Sequence, residues 1–212
     1  MSDVALDEPT RFSILTVCTG NICRSPLAQR LLSLGLQGIG EVDVSSAGTD
    51  ALVGHGMTDQ TATIAHRHGV LAPEQHVARL LSVEQLQESS VAIALTRAHR
   101  REIVALLPRG SRRTFTLREL ARLLDAVQPS DLTDVAALPP SDKVGRFAAL
   151  IEVAATLRGY VAPPENELDD DVIDPYRRSD EVYALMESQL VPAVDLIVKR
   201  FEQAATITPD RV

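Results

Sequence analysis

Phe12, Ile14, Leu15 and Val17 form a short apolar, β-prone run that stops at Cys18, and the six residues that follow are too polar and turn-prone to extend a strand. Ser25-Pro26 then sets a helix N-cap residue before the imino acid favoured at a first helical position. Leu27, Leu31 and Leu34 recur at helical spacing until Gly35 and Gly38 break the pattern. This strand–loop–helix unit is followed by a strand over Val42 to Val44, a turn-prone stretch from Ser45 to Thr49, and a helix over 58–68 closed by Gly69. A helix from Ser82 to Glu88, a strand from Val91 to Leu95, a helix from Arg97 to Leu107 stopped by Pro108, and a strand from Thr114 to Thr116 complete the alternation. Strands alternating with helices predict an α/β fold, a three-layer doubly wound sandwich with a central, mostly parallel four-stranded sheet flanked by helices.

Beyond residue 116 the pattern is helical. Leu117 to Val127 and Val144 to Leu157 read as helices separated by Pro129, Pro139 and Pro140, and Ala162-Pro163-Pro164 leads into an acidic run from Glu165 to Asp171. From Asp180 to Phe201 an apolar face continues despite Pro192. The expected organisation is a flexible leader at 1–11, one domain over 12–201 with a helical insertion at about 117–170, and a tail at 202–212. At 212 residues and 45% hydrophobic content the chain can bury such a core. A net charge of -8, no Trp, three Tyr and four Phe argue against nucleic acid as a partner. The acidic start has no basic region before an apolar stretch, so no membrane partner and a cytoplasmic location are expected.

The chemistry concentrates in Cys18 to Arg24, a Cys, five residues and an Arg between a buried strand and a helix start. Backbone N–H groups of a tight loop converge there with a helix N-terminus, and a guanidinium adds bidentate donors for phosphate oxygens. The same positive field favours the thiolate form of a cysteine. By itself the spacing is common, and a buried Cys followed by a surface Arg is the plain alternative. Gly20 and Asn21, which suit unusual backbone angles, and Ser25-Pro26 tilt the reading toward an anion cradle. The chain lacks the Gly-Lys-Ser/Thr of a nucleotide-binding loop, and Cys18 and Cys23 have no second pair at metal spacing, so neither metal nor cofactor is expected. A disulfide between them would close only a tiny loop and stabilise little.

The run Val17-Cys18-Thr19-Gly20-Asn21-Ile22-Cys23-Arg24-Ser25-Pro26 resembles the signature loop of low-molecular-weight protein tyrosine phosphatases. Val44-Ser45-Ser46-Ala47-Gly48-Thr49, His68-Gly69-Val70, His76-Val77-Ala78-Arg79 and Thr96-Arg97-Ala98-His99-Arg100 resemble that family in the same order, and Asp174-Pro175-Tyr176 is similar to its general-acid motif. The resemblance covers 12 to about 116 and 170 to 201. It implies hydrolysis of phosphate monoesters, most of all protein phosphotyrosine, through a cysteinyl-phosphate: Cys18 as nucleophile, Arg24 as phosphate clamp and Asp174 as acid and then base. Phosphate is expected against Thr19, Gly20, Asn21, Ile22, Cys23 and Arg24. The resemblance also implies support from Ser25 as donor to Cys18, from Ser46 and His76 through Asn21, and from Tyr176 as one cleft wall.

Other readings are arsenate reduction by Cys18 with an external thiol reductant, and a non-catalytic phosphate-binding regulatory module. Departures from the family pattern are the segment 117–170, Ala51-Leu52-Val53 where some relatives carry an aromatic residue, and Arg177 where some carry a second Tyr.

Overall fold

The computed structural model describes residues 11–209, so nearly all of the expected leader, and residues 210–212 of the expected tail, lie outside the described residues. Four strands, β1 (Phe12–Cys18), β2 (Val42–Gly48), β3 (Val91–Ala94) and β4 (Thr114–Thr116), pair in the order β2-β1-β3-β4, every pair parallel. Eight α-helices connect and cover them: α1 (Arg24–Leu36), α2 (Asp59–Arg67), α3 (Val83–Glu88), α4 (Arg97–Leu106), α5 (Leu117–Asp125), α6 (Thr133–Ala137), α7 (Lys143–Leu157) and α8 (Asp180–Thr206).

The period of two along each strand divides the interior into two cores. Phe12 and Ile14 of β1 and Val91 and Ile93 of β3 point into the larger core, shared with α1, α5, α7 and α8. Leu15, Val17, Ala92 and Ala94 point the other way, against Leu86 of α3 and Ile103 of α4. Both faces are therefore covered, which explains strands that read as continuous apolar runs. Strand order reverses direction around β1, and in open parallel sheets ligands bind beyond the carboxyl ends of the strands at such a point. Cys18 is the last residue of β1.

Several boundaries differ from expectation. Ser45 to Gly48 is not a turn but the second half of β2, in register with Leu15 to Cys18; the buried hydroxyl of Ser46 is tolerated there because it bonds to Asn21 and Gln29. Gly35 does not end α1, which runs to Leu36; a Cβ there would lie 2.6 Å from Val198 Cγ2, so the glycine permits close approach of α8. The helix α8 passes Phe201 and continues to Thr206, drawing part of the expected tail into the core through Ala204, Ala205 and Ile207. Among the described residues no helix is long and apolar enough to cross a membrane.

The segment expected as an insertion contributes to the main core. Phe147 of α7 meets Phe12 edge-on at 5.7 Å and Phe201 at 5.0 Å, and all three rings are buried. Beside it Arg146, 1% exposed, donates to the carbonyls of Ala204, Ala205 and Ile207 at the end of α8 and to those of Leu138 and Pro139. A cation among the unpaired carbonyls of a helix C-terminus satisfies them and complements the dipole. Removing it strands several buried acceptors, each worth about 1–3 kcal/mol. Arg146→Ala is therefore expected to lower unfolding stability by about 3 kcal/mol or more. On the same helix as Arg146, Glu152→Ala, which breaks an exposed pair with Arg112, should change it by less than about 1 kcal/mol. Chemical denaturation of both variants measures this, and equal effects would contradict the assignment.

Candidate active site

The loop from Cys18 to Arg24 is held from outside by its carbonyls. Cys18 O accepts from Thr49 N at 2.9 Å, Thr19 O from Asp50 N at 3.1 Å, Gly20 O from Leu52 N at 3.0 Å and Ile22 O from Thr58 N at 3.1 Å, while Asn21 O accepts from His76 Nε2 at 2.7 Å. In a planar trans peptide the carbonyl and the next N–H point to opposite sides. Five successive carbonyls bonded outward therefore turn the amides of Thr19 to Cys23 inward, and those amides donate to no protein acceptor among the described residues. Asn21 makes this curvature possible with φ of 55°, a left-handed conformation that Asn tolerates better than most residues. Gly48 lies directly behind the loop: a Cβ there would fall 2.3 Å from Thr19 O.

A buried polar network fixes the loop's shape. Asn21 Nδ2 donates to Ser25 Oγ and to Ser46 Oγ, both at 2.9 Å, and Asn21 Oδ1 accepts from Arg79 N at 3.0 Å. Ser46 Oγ in turn donates to Gln29 Oε1 at 2.7 Å. Because the Asn21 amide donates to Ser25 Oγ, that hydroxyl keeps its own proton for Cys18 Sγ, 2.9 Å away, a better-placed acceptor than Ala47 O at 3.4 Å. Ser25 was expected to cap α1, but the helix begins at Arg24 with Cys23 in the cap position, so Ser25 lies in the first turn with its side chain committed to the loop.

Cys18 is 2% exposed and Arg24 4% exposed, and both line a cavity of about 160 Å³ together with Thr19, Gly20, Ile22 and Cys23. Asp50, Leu52, Asp174 and Tyr176 form the rest of its wall. Arg24 Nη2 pairs with Asp174 Oδ2 at 2.7 Å, Nη1 donates to Val172 O at 3.3 Å, and the buried Nε has no partner. Asp174 arrives on the loop before α8, its side chain half exposed, and Tyr176 N donates back to Asp174 Oδ1 at 3.2 Å. Tyr176 is itself 37% exposed, with the Arg177 guanidinium 5.0 Å above its ring.

The second cysteine differs from the first. Cys23 Sγ lies 3.6 Å from Thr58 Oγ1 and 3.9 Å from the Tyr183 hydroxyl, and burial pushes its thiol up from the ordinary value. Burial likewise pushes the Tyr183 phenol up to about 12. His76 is shifted down, again first by burial, which keeps the ring neutral while Nε2 donates to the loop.

One further residue acquires a role only in the structure. His99 is buried, with Nε2 2.8 Å from Thr19 Oγ1 and Nδ1 2.9 Å from Thr96 Oγ1, so it braces the loop against the N-terminus of α4. The available sequence signal was Thr96 capping a helix with His three residues on. Alongside it, Asp171 Oδ1 accepts from Arg97 N at 2.7 Å, and Val172 N donates to Leu95 O, which ties the Asp174 loop to the same helix start.

Burial first, and then the Arg24 charge, lower His99 to about 4 from 6.5, with Asp174 opposing. The unfolded chain therefore takes up a proton before the folded one on acidification. The corresponding stability is complete above pH 6.5 and declines down to about pH 4, by a total of roughly 3 kcal/mol. His99→Gln should accordingly flatten the decline of stability between pH 6.5 and pH 4. Denaturation curves for the two proteins that fall in parallel over this range would contradict the placement of a neutral, buried imidazole.

A sequence model of the family described as low molecular weight phosphotyrosine protein phosphatase matches residues 13–134, more than half of the chain. The match extends through α5, so part of the segment expected to lack a counterpart lies inside it. The low molecular weight protein-tyrosine-phosphatase Etp of Escherichia coli K12 is 42% identical over 96 residues, 45% of this chain and 62% of that protein. The probable low molecular weight protein-tyrosine-phosphatase AmsI of Erwinia amylovora is 43% identical over 88 residues, 41% of this chain and 58% of its own. The aligned stretches thus span about three-fifths of these relatives. The crystal structure of Erwinia amylovora tyrosine phosphatase AmsI superposes with a TM-score of 0.61 at 23% identity, covering 88% of this chain and 91% of that one. The YwlE arginine phosphatase from Geobacillus stearothermophilus gives 0.62 at 23%, covering 91% and 94%. At that identity the superpositions establish the shared α/β fold, and with the match over residues 13–134 the chain belongs to the low molecular weight phosphotyrosine protein phosphatase family.

Proposed function

We propose that this chain hydrolyses phosphate monoesters, with protein phosphotyrosine as substrate, through a phosphoryl group carried on Cys18. The observation that carries the reading is the outward bonding of the five carbonyls from Cys18 to Ile22, which by peptide planarity turns the amides of Thr19 to Cys23 inward, beside the cavity that Cys18 and buried Arg24 line. Such a set of donors suits a group with three equatorial oxygens, where charge spreads in phosphoryl transfer. The Ser25 hydroxyl is a donor for the thiolate, and it is freed for that use by Asn21. Cys23, buried and protonated against Thr58 and Tyr183, is not the competing nucleophile.

In the proposed reaction the Cys18 sulfur attacks phosphorus in line, forming the S–P bond as the P–O bond to the leaving group breaks. Asp174 gives its proton to the departing oxygen, then takes one from the water that cleaves the S–P bond, releasing inorganic phosphate and free Cys18. The Arg24–Asp174 pair supports this sequence of events. A phosphoryl dianion draws the guanidinium onto its own oxygens, so Asp174 loses its counter-ion and gains a negative neighbour, conditions under which a carboxyl group holds a proton. The apolar side chains of Ile22 and Leu52 and the Tyr176 ring are suited to an aryl leaving group.

The test is leaving-group dependence. An ordinary phenolate departs poorly without a proton, whereas an activated phenolate leaves largely unaided. Asp174→Asn should slow the first chemical step with phosphotyrosine by roughly 100- to 10,000-fold, and much less with an activated aryl phosphate, measured by burst kinetics. Equal losses across the series in a folded variant would remove Asp174 from proton transfer, and absence of hydrolysis by the wild-type protein would refute the function.

A further inference from the structure

Outside the Cys18 cavity lies a cleft of about 500 Å³ between α4, α5, the end of α7 and the strap that carries Pro163 to Asp170. Arg97, Arg100, Arg101, Arg122 and Arg158 line it against four carboxylates, Glu119, Glu165, Glu167 and Asp170. The cleft is therefore positive in a chain of net charge -8.

Two of these guanidinium groups are crowded onto the same acceptors. Arg158 Nε meets Glu119 Oε1 at 2.7 Å while Arg100 Nε lies 3.8 Å from Glu119 Oε2. Both also donate to one carbonyl, Thr114 O, at 3.0 and 2.9 Å. Like charges so placed repel, and one carboxylate neutralises only one of them. Burial, reinforced by Arg158, pushes the Arg100 guanidinium below its ordinary value, consistent with an uncompensated pair. Arg158 is also held in place by stacking 4.3 Å above the Phe115 ring. These contacts use Arg158 Nε and Nη2 and Arg100 Nε, which leaves the remaining terminal nitrogens without a protein hydrogen-bond acceptor among the described residues.

Preorganised, under-neutralised arginines facing a cavity are the usual means of binding phosphoryl oxygens. We infer that this cleft is a second anion site, separate from the Cys18 loop, that binds a small ligand carrying two or more phosphoryl groups. One phosphoryl group spans Arg100 and Arg158, and Arg101 at the rim meets the next. Leu123, Val161 and Pro163 also line the cleft and offer an apolar surface to any organic group attached to the phosphates. Inorganic polyphosphate and nucleoside triphosphates share the required chemistry. Arg158 follows the last residue of α7 and lies outside the stretch matched to the family, so the site depends on the segment the sequence pattern set apart.

The experiment is calorimetric titration of the full chain, without divalent metal and in the presence of saturating benzylphosphonate to occupy the Cys18 loop. Tripolyphosphate and a nucleoside triphosphate are titrated in turn. One equivalent of tripolyphosphate should bind, with affinity falling as salt rises. Tighter binding of the nucleoside triphosphate would assign the apolar wall to a nucleoside, and equal or weaker binding would assign the site to inorganic polyphosphate. Arg158→Gln and, at the exposed rim, Arg101→Gln should each weaken binding by roughly tenfold or more, since each removes a charge-assisted contact. Because Arg101 is exposed and Arg101→Gln should fold normally, a failure of Arg158→Gln to fold leaves the test intact. No binding of either ligand, binding unchanged in both folded variants, or preference for a Glu-rich peptide over both phosphates would overturn the inference. These variants decide the matter whatever activity Cys18 proves to have.

Discussion

The site depends on the outward bonding of five successive carbonyls, from Cys18 to Ile22. Peptide planarity converts that bonding into five inward N–H groups, and the unpaired amides of the buried residues Asn21, Ile22 and Cys23 are expensive unless an acceptor of matching shape arrives. The donors to those carbonyls are drawn from separate elements: Thr49, Asp50, Leu52 and Thr58 follow β2, and His76 comes from the loop after α2. The parallel pairing of β1 with β2 brings the first three of these to the end of β1, and Gly48 allows the close approach. The cradle is thus a consequence of sheet topology as much as of the loop's own sequence.

Two buried polar residues hold that geometry from opposite sides. Asn21 orders the inner hydroxyls so that Ser25 faces Cys18, and His99 fastens Thr19 to the start of α4. The same helix start receives Asp171 from the strap that leads to Asp174. The Cys18 loop and the Asp174 loop are therefore anchored on one element, which accounts for how a carboxylate 150 positions along the chain reaches Arg24.

Much of this was legible in the sequence because it is local. The strand that stops at Cys18, the turn formers Gly20 and Asn21 and the leucine period after Pro26 specify strand, loop and helix within about 25 residues. What failed was governed by tertiary contact. Ser25 has the chemistry of a helix cap, yet the network around Asn21 claims its hydroxyl. Ser45 and Ser46 read as a turn on propensity, but pairing with β1 holds both in a strand and Asn21 satisfies the Ser46 hydroxyl there. Gly35 resembles a helix stop and instead admits Val198. The contact of His99 with Thr19 and the crowding of Arg100 with Arg158 involve partners up to 80 positions away, so no spacing rule reveals them.

In the proposed reaction Cys18 carries the phosphoryl group while the loop amides and Arg24 hold its oxygens. The most direct test of this is to quench the protein during turnover of an activated aryl phosphate under conditions that preserve thiophosphate esters, then map the adduct by peptide mass spectrometry. A phosphoryl group on the peptide bearing Cys18, assigned to that sulfur rather than to Cys23 and absent from Cys18→Ala protein, is the predicted result. Sustained hydrolysis by Cys18→Ala protein, or an adduct on Cys23 alone, would contradict it.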